Sequence, residues 1–255
     1  MKRILYLVAV LLCASACLEI LPPPDGLELP AITAQDRVVQ YQGYTSSYNT
    51  KTLIPNWVAY ELTEEETYGD ASRENLNFSM DIHFKGKQAM REDYAGSGWT
   101  KGHMAPAGDF FWSQDAMEET FYFMNVCPQR EELNSKDWQY LEKKVRRWAR
   151  DFGRVWVITG PIVGENRYGT IGENHVVVPD AFFKAVLAQD AFGYQAIGFV
   201  MQNDTNRYYL EKCAVSIDNL EEMLGMDLFP ALPDGLEDTA EADFNLAFWD
   251  IDYKH

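Results

Sequence analysis

SKDWQYLEKKVRRWARDFGRVWVITG, Ser135 to Gly160, sets the one strongly periodic helix of the chain directly against a strand-like run. Trp138, Leu141, Val145, Trp148 and Ala149 recur at three- and four-residue steps and make a single apolar stripe. Lys143, Arg147 and Arg150 fall largely on another side, and Gly153 closes the segment. The spacing predicts a helix over Lys136–Arg150 that lies on a core. Past Gly153 come RVWVITGPIV, HVVVPDAFFKAVL and YQAIGFVMQN, apolar and β-rich runs of sheet type.

Upstream, the text alternates from Val38 (VVQYQGYTSSYN), and WVAYEL at Trp57–Leu62 gives another strand. Residues 64–98 are polar and read as a long excursion with short strands. Ser113 caps a short helix through Glu119, and FYFMNV follows as a buried strand or extended segment. Asp218 with Glu221 resembles a capping box opening a last short helix that ends at Gly225. Long loops between sheet-forming runs, with few helices, define an α+β single domain.

The chain has 255 residues, 47% of them hydrophobic, enough to bury a sizeable core. A net charge of −17 repels polyanions, so any contact with nucleic acid has to be local, through a basic patch or a metal ion. The start reads as an export signal over residues 1–16: Lys2 and Arg3 precede an apolar ILYLVAVLLCASA too short to span a bilayer. Cys17 follows Ala14-Ser15-Ala16, a lipobox in a bacterial protein, although Ala14 stands where Leu is usual. The expectation is a lipid anchor at Cys17 and a periplasmic or cell-surface location, with soluble secretion as the alternative. Residues 17–35 are Pro-rich and read as a tether, leaving 36–255 as the folded domain. Cys127 and Cys213 remain as an even pair, open to a disulfide or to two buried thiols.

Three residues carry chemistry. Glu142 borders the apolar stripe, where a carboxylate needs either a Lys or Arg partner or a nearby metal. Asn134, just before the helix, is a turn or capping residue or else supplies an amide oxygen to a hard ion. His103, one of four histidines, sits in an open loop of small residues, WTKGHMAPAGDF. A lone histidine is structural more often than catalytic, yet a neutral imidazole accepts a proton from water. A base, a sparse metal site and nearby cations together suit phosphodiester hydrolysis.

KGHMAPAGDF, then ETFYFMNVCPQ, then LNSKDWQYLE, with these intervals, resembles the DNA/RNA non-specific endonucleases, ββα-metal nucleases with a DRGH motif. The resemblance extends to WVAYELT, VWVITGPI, VVVPDAFFKAVL and AIGFVMQN and covers roughly residues 36–250. It implies a central, mainly antiparallel sheet carrying a ββα-metal element, and hydrolysis of DNA or RNA to 5′-phosphate ends with Mg²⁺ or Mn²⁺. By resemblance His103 is the general base, Asn134 the direct metal ligand and Glu142 the holder of metal-bound water, while Asn125 helps shape the site. Arg73 matches an upstream phosphate-contacting arginine, with looser spacing in SRENLNF, and Lys101 and Arg147 offer further charge to the substrate. For the strip of Lys143, Arg146, Arg147 and Arg150, a solvated helix face is as good a reading as a DNA-binding one.

The motif departs from the family at Thr100-Lys101-Gly102-His103. Lys101 keeps the charge but lacks the bidentate fork of arginine, and Thr100 replaces a carboxylate that braces the loop. An active endonuclease is the main reading. The alternatives are a catalytically weakened, surface-anchored nucleic-acid-binding protein and a phosphodiesterase for small nucleotides.

Overall fold

Alternation of side chains along the strand-like runs produces two buried faces, one on each side of a central sheet. A computed structural model describes residues 22–251; the segment read as an export signal, with Cys17, lies outside the described residues. In chain order the strands are β1 (Val38–Gln40), β2 (Thr45–Asn49), β3 (Ile54–Thr63), β4 (Thr100–His103), β5 (Val126–Gln129) and β6 (Arg154–Ile162). Then follow β7 (Thr170–Ile171), β8 (Val176–Val177), β9 (Ala181–Asp190), β10 (Gly193–Gln202) and β11 (Ala214–Val215). Seven of them form one antiparallel sheet in the order β1-β2-β3-β6-β9-β10-β11; β4 pairs only with β5, and β7 only with β8.

The period of two sorts β9 cleanly. Phe182, Val186 and Ala188 enter the core on one side of the sheet, and Phe183, Ala185 and Leu187 enter the core on the other. Lys184 shares the phase of Phe182 and Val186, so an ammonium is carried into the first of these cores, where it is fully buried.

The predicted helix lies over that first core. It is α3 (Gln139–Phe152), whose Leu141, Val145, Trp148 and Ala149 are buried and whose C-cap, Gly153, takes a left-handed φ of 79°. A π-helical turn, Leu133–Trp138, leads into it, so Asn134 lies inside helical backbone rather than at a cap before it. The short helices α1 (Arg91–Tyr94) and α2 (Gln114–Glu119) precede it, and Ser113 caps α2 by accepting from the Ala116 N–H, as its sequence predicts. Residues 64–98 hold no strand, only an isolated bridge from Ser79 to Tyr122. FYFMNV divides into a 3₁₀ turn, Phe123–Asn125, and the start of β5.

The second face is covered by α5 (Ile217–Leu224), by α6 (Asp234–Glu241) and by the segment read as a tether; α4 (Leu210–Cys213) precedes them. Leu27 is completely buried there with Leu220, Leu228 and Phe229, and Ala31 N–H donates to Asp227 O at 2.9 Å. Burying one leucine is worth roughly 1.5–3 kcal/mol, which is why this Pro-rich stretch packs instead of trailing as a linker. Ser216, not Asp218, caps α5, because its hydroxyl reaches the Asn219 N–H; α5 does end at Gly225, but α6 follows it. Cys127 in β5 and Cys213 at the end of α4 are free, buried thiols, so the disulfide alternative falls.

Candidate active site

The β4–β5 pair puts Thr100 opposite Gln129, Gly102 opposite Cys127 and His103 opposite Val126. Gly102 is required by contact: a Cβ there would lie 2.0 Å from Gln129 Oε1 and 2.8 Å from Gln129 Cβ. Just past His103 the backbone is pinned by Asn125. Its Oδ1 accepts from Ala105 N–H at 2.8 Å, while its Nδ2 donates to Ala105 O at 2.8 Å and Thr120 O at 2.9 Å. The amide of Asn125 is buried and spent on backbone, so it fixes the loop that carries His103 and does not reach a substrate.

His103 and Lys101 share one side of β4, over an aromatic floor. The imidazole lies 5.0 Å from the ring of Phe78 and 5.0 Å, edge-on, from Phe121. Lys101 Nζ stands 5.6 Å from the Phe78 centroid and 5.3 Å from that of Tyr94. Arg73, exposed, holds its guanidinium 5.9 Å from Phe121, on the same floor. Burial first, and then the Arg73 charge, push the His103 pKa down to about 3, so the ring is neutral at physiological pH. Its Nε2 is buried and has no hydrogen-bond partner among the described residues. Burial, with Arg91 nearby, also lowers the Lys101 pKa.

At the other end of β4, Thr100 Oγ1 donates to Gln129 O at 2.8 Å and accepts from Asn134 Nδ2 at 3.1 Å. That bond fixes which way the amide faces and leaves Asn134 Oδ1 without a hydrogen bond from the described residues. The π turn sets its direction along the helix. A turn closed from i to i+5 advances about 80° per residue, against about 100° in an α-helix. Eight α steps would swing Asn134 about 80° away from Glu142; with the first four steps π, the two fall on one face, about two full turns apart.

Glu142 is half-buried and accepts no hydrogen bond from the described residues. Burial raises its pKa, opposed first by Lys184 and then by Arg146. Lys184, lowered by burial and held up by Glu142 and Asp109, donates to Met104 O at 3.3 Å and stands 4.9 Å from the Trp138 ring. Arg146 is ion-paired with the buried Asp109, which also accepts from Tyr60 O–H at 2.7 Å. Arg146 therefore turns inward and leaves the strip, while Arg150 stays exposed and bonds Thr67. Arg147 is exposed and pairs with Asp250 at 3.1 Å and Asp151 at 3.4 Å. It lines a groove with Lys136, Lys143, Lys144, Arg207 and Tyr140.

Sequence reasoning thus missed Lys184, Asp109, the inward turn of Arg146, and Arg91. Two signals were available: the strand phase of Lys184, and Arg146 one helical turn after Glu142. Chemically, the donor set suits a hard divalent ion. One neutral amide oxygen is left open, and a carboxylate in reach of the same helix face has no hydrogen bond of its own.

An imidazole on a two-stranded ribbon, with an amide and a carboxylate on one face of the helix that follows it, defines a ββα-metal nuclease element. The sequence model of the DNA/RNA non-specific endonuclease family matches residues 29–235, and the chain belongs to that family. It is 38% identical over 208 residues to mitochondrial nuclease EXOG of Xenopus laevis, covering 76% of this chain and 58% of that protein. It is 36% identical over 203 residues to human mitochondrial endonuclease G, covering 74% of this chain and 68% of the relative. A chain in the crystal structure of the EndoG/EndoGI complex superposes with a TM-score of 0.75 at 28% identity, over 82% of this chain and 91% of that one. The chain spans under three fifths of the length of the EXOG relative.

These relatives correct the expected location. They are mitochondrial by name, which overturns the reading of an exported periplasmic or cell-surface lipoprotein, and the lipid anchor at Cys17 loses its support with it.

Proposed function

We propose that this chain cuts DNA or RNA by metal-dependent hydrolysis of phosphodiester bonds, without regard to base sequence, leaving 5′-phosphate ends. One observation carries the reading: β4 presents an unpartnered His103 Nε2 at one end and, at the other, a Thr100 hydroxyl that turns the Asn134 oxygen outward. The strand is only three residue steps long, about 10 Å, so one phosphate group and its ion fit along it.

The neutral His103 ring takes a proton from water, which attacks phosphorus in line with the departing 3′-oxygen. Lys101 and Arg73, on the shared aromatic floor, face the charge that grows on the non-bridging oxygens. Asn134 Oδ1 would hold a divalent ion, taken as Mg²⁺, and Glu142 would support it through water. When bound, the ion supplies Lewis-acid stabilisation of the leaving oxygen. The strand flanking the scissile bond runs over the groove that contains Arg147, touching phosphates only and so leaving bases unread. The mitochondrial names of the relatives make a mitochondrial location the one proposed for this chain.

Supercoiled plasmid is nicked with Mg²⁺ and left intact with EDTA if this is right. His103→Ala loses at least ~100-fold in rate, the scale of a positioned base. Undiminished cutting by that variant removes His103 from the chemistry, and cleavage of a dinucleotide ester with plasmid untouched would favour a small-nucleotide phosphodiesterase.

A further inference from the structure

On the face of the sheet away from β4 and α3, three carboxylates from two helices converge. Asp218 and Glu221 lie one turn apart on α5, and Glu241 ends α6. One carboxylate oxygen from each lies within 4.8 Å of those of the other two. Glu241 is only 4% exposed, and its Oε1 is buried with no hydrogen-bond partner. Glu221 offers one oxygen to the Leu228 N–H and keeps the other.

The surroundings make the convergence costly. The charged groups acting on Glu241 are Glu221, Glu237, Asp218 and Asp227, all acidic, and no ion pair among the described residues involves the three carboxylates. Glu241 also stands at the C-terminal, negative end of α6, where an anion is least favoured. Burial and these neighbours push its pKa up to about 9. A buried carboxylate with an unbonded oxygen beside other carboxylates is relieved by a proton or by a cation.

We propose that Asp218, Glu221 and Glu241 bind a calcium ion that ties α6 to α5 beneath the sheet. Three oxygens that all lie within 4.8 Å of one another can share one Ca²⁺ at about 2.4 Å each. All the donors are oxygen, as hard cations require. Calcium also accepts an irregular shell completed by water, whereas magnesium demands near-octahedral geometry. The site is separate from the ion proposed at Asn134 and does not depend on nuclease activity.

The test is thermal unfolding and calorimetric titration of EDTA-stripped full chain with CaCl₂ at pH 7.5. It is run on the unaltered protein and on Asn134→Ala, so that the catalytic ion does not contribute. Calcium is expected to bind with a stoichiometry of one in Asn134→Ala and to raise its Tm by several degrees. Glu241→Gln abolishes that rise while Mg²⁺-dependent plasmid nicking stays within twofold, and Asp218→Asn, an exposed change, weakens binding at least tenfold. No calcium response in Asn134→Ala overturns the proposal, as does a full response in Glu241→Gln. Equal stabilisation by Mg²⁺ at equal concentration overturns the assignment to calcium. A Tm that falls from pH 5 to pH 9 alike with and without Ca²⁺ shows protons, not an ion, relieving the cluster, and overturns it too.

Discussion

Thr100 departs from the family motif yet bonds both Gln129 and Asn134, the proposed metal ligand. Its hydroxyl donates to Gln129 O and accepts from Asn134 Nδ2, so it orients an amide where the family uses a carboxylate to brace the loop. Thr100→Val keeps the shape and removes both bonds. The concentration of Mg²⁺ giving half-maximal rate is expected to rise about 10- to 100-fold, the usual cost of losing a partner behind a metal ligand, and Thr100→Ser restores it. An unchanged Mg²⁺ titration in the valine variant would show that Asn134 needs no such support. His103 sets a pH dependence at the same scale. Its folded pKa of about 3 lies below the ordinary 6.5, so between these values the unfolded chain holds the extra proton. Stability from this residue is therefore whole above pH 6.5 and is lost as pH falls toward 3. His103→Gln should flatten that part of the acid-unfolding curve, whereas an unaltered curve would place the ring in water.

At the scale of elements, the helix and the strands on either side of it were legible because their hydrophobic periods are strong. Trp138 to Ala149 mark one face at 3.6, and β3, β6, β9 and β10 are long and apolar. The π turn was not legible. Its sequence, LNSKDW, suits an α-helix equally well, and the wider turn is settled by packing of Leu133 and Trp138 in the core. Lys184 was hidden by the same reasoning, since a lysine in a strand reads as its solvent side until the neighbouring phases are fixed. The tether failed because Leu27 was judged by its proline-rich neighbours rather than by the apolar surface it covers. Asp109→Ala, which strands Arg146 and orphans the Tyr60 hydroxyl, should cost about 3–5 kcal/mol in chemical denaturation, the range for a buried ion pair broken on one side. A loss below about 1 kcal/mol would mean that water reaches the pair.

For the whole molecule, a net charge of −17 and the proposed polyanionic substrate meet where the cations sit. Lys136, Lys143, Lys144, Arg147 and Arg207 gather along one groove beside the helix that carries Glu142, with Asp137 and Asp250 paired to three of them. Arg147→Ala is expected to raise KM for plasmid and to reduce the slope of log affinity against log salt by about 1, with kcat and dinucleotide-ester hydrolysis unchanged. A fall in kcat instead would put Arg147 in the chemistry. Composition alone argued against nucleic acid; the three linked motif blocks argued for it, because site chemistry is local and net charge is a sum over the surface.

The quartet of Asp109, Glu142, Arg146 and Lys184, with Asp109 and Lys184 fully buried, also bears on how such a protein can change over generations. Positive and negative members offset one another in a medium too dry to tolerate an odd one, so a single replacement leaves a stranded charge, while a matched exchange of opposite partners leaves none. Drift at Lys184, on a strand beneath the helix, is thereby tied to Glu142, and inheritance of the two should be all or nothing.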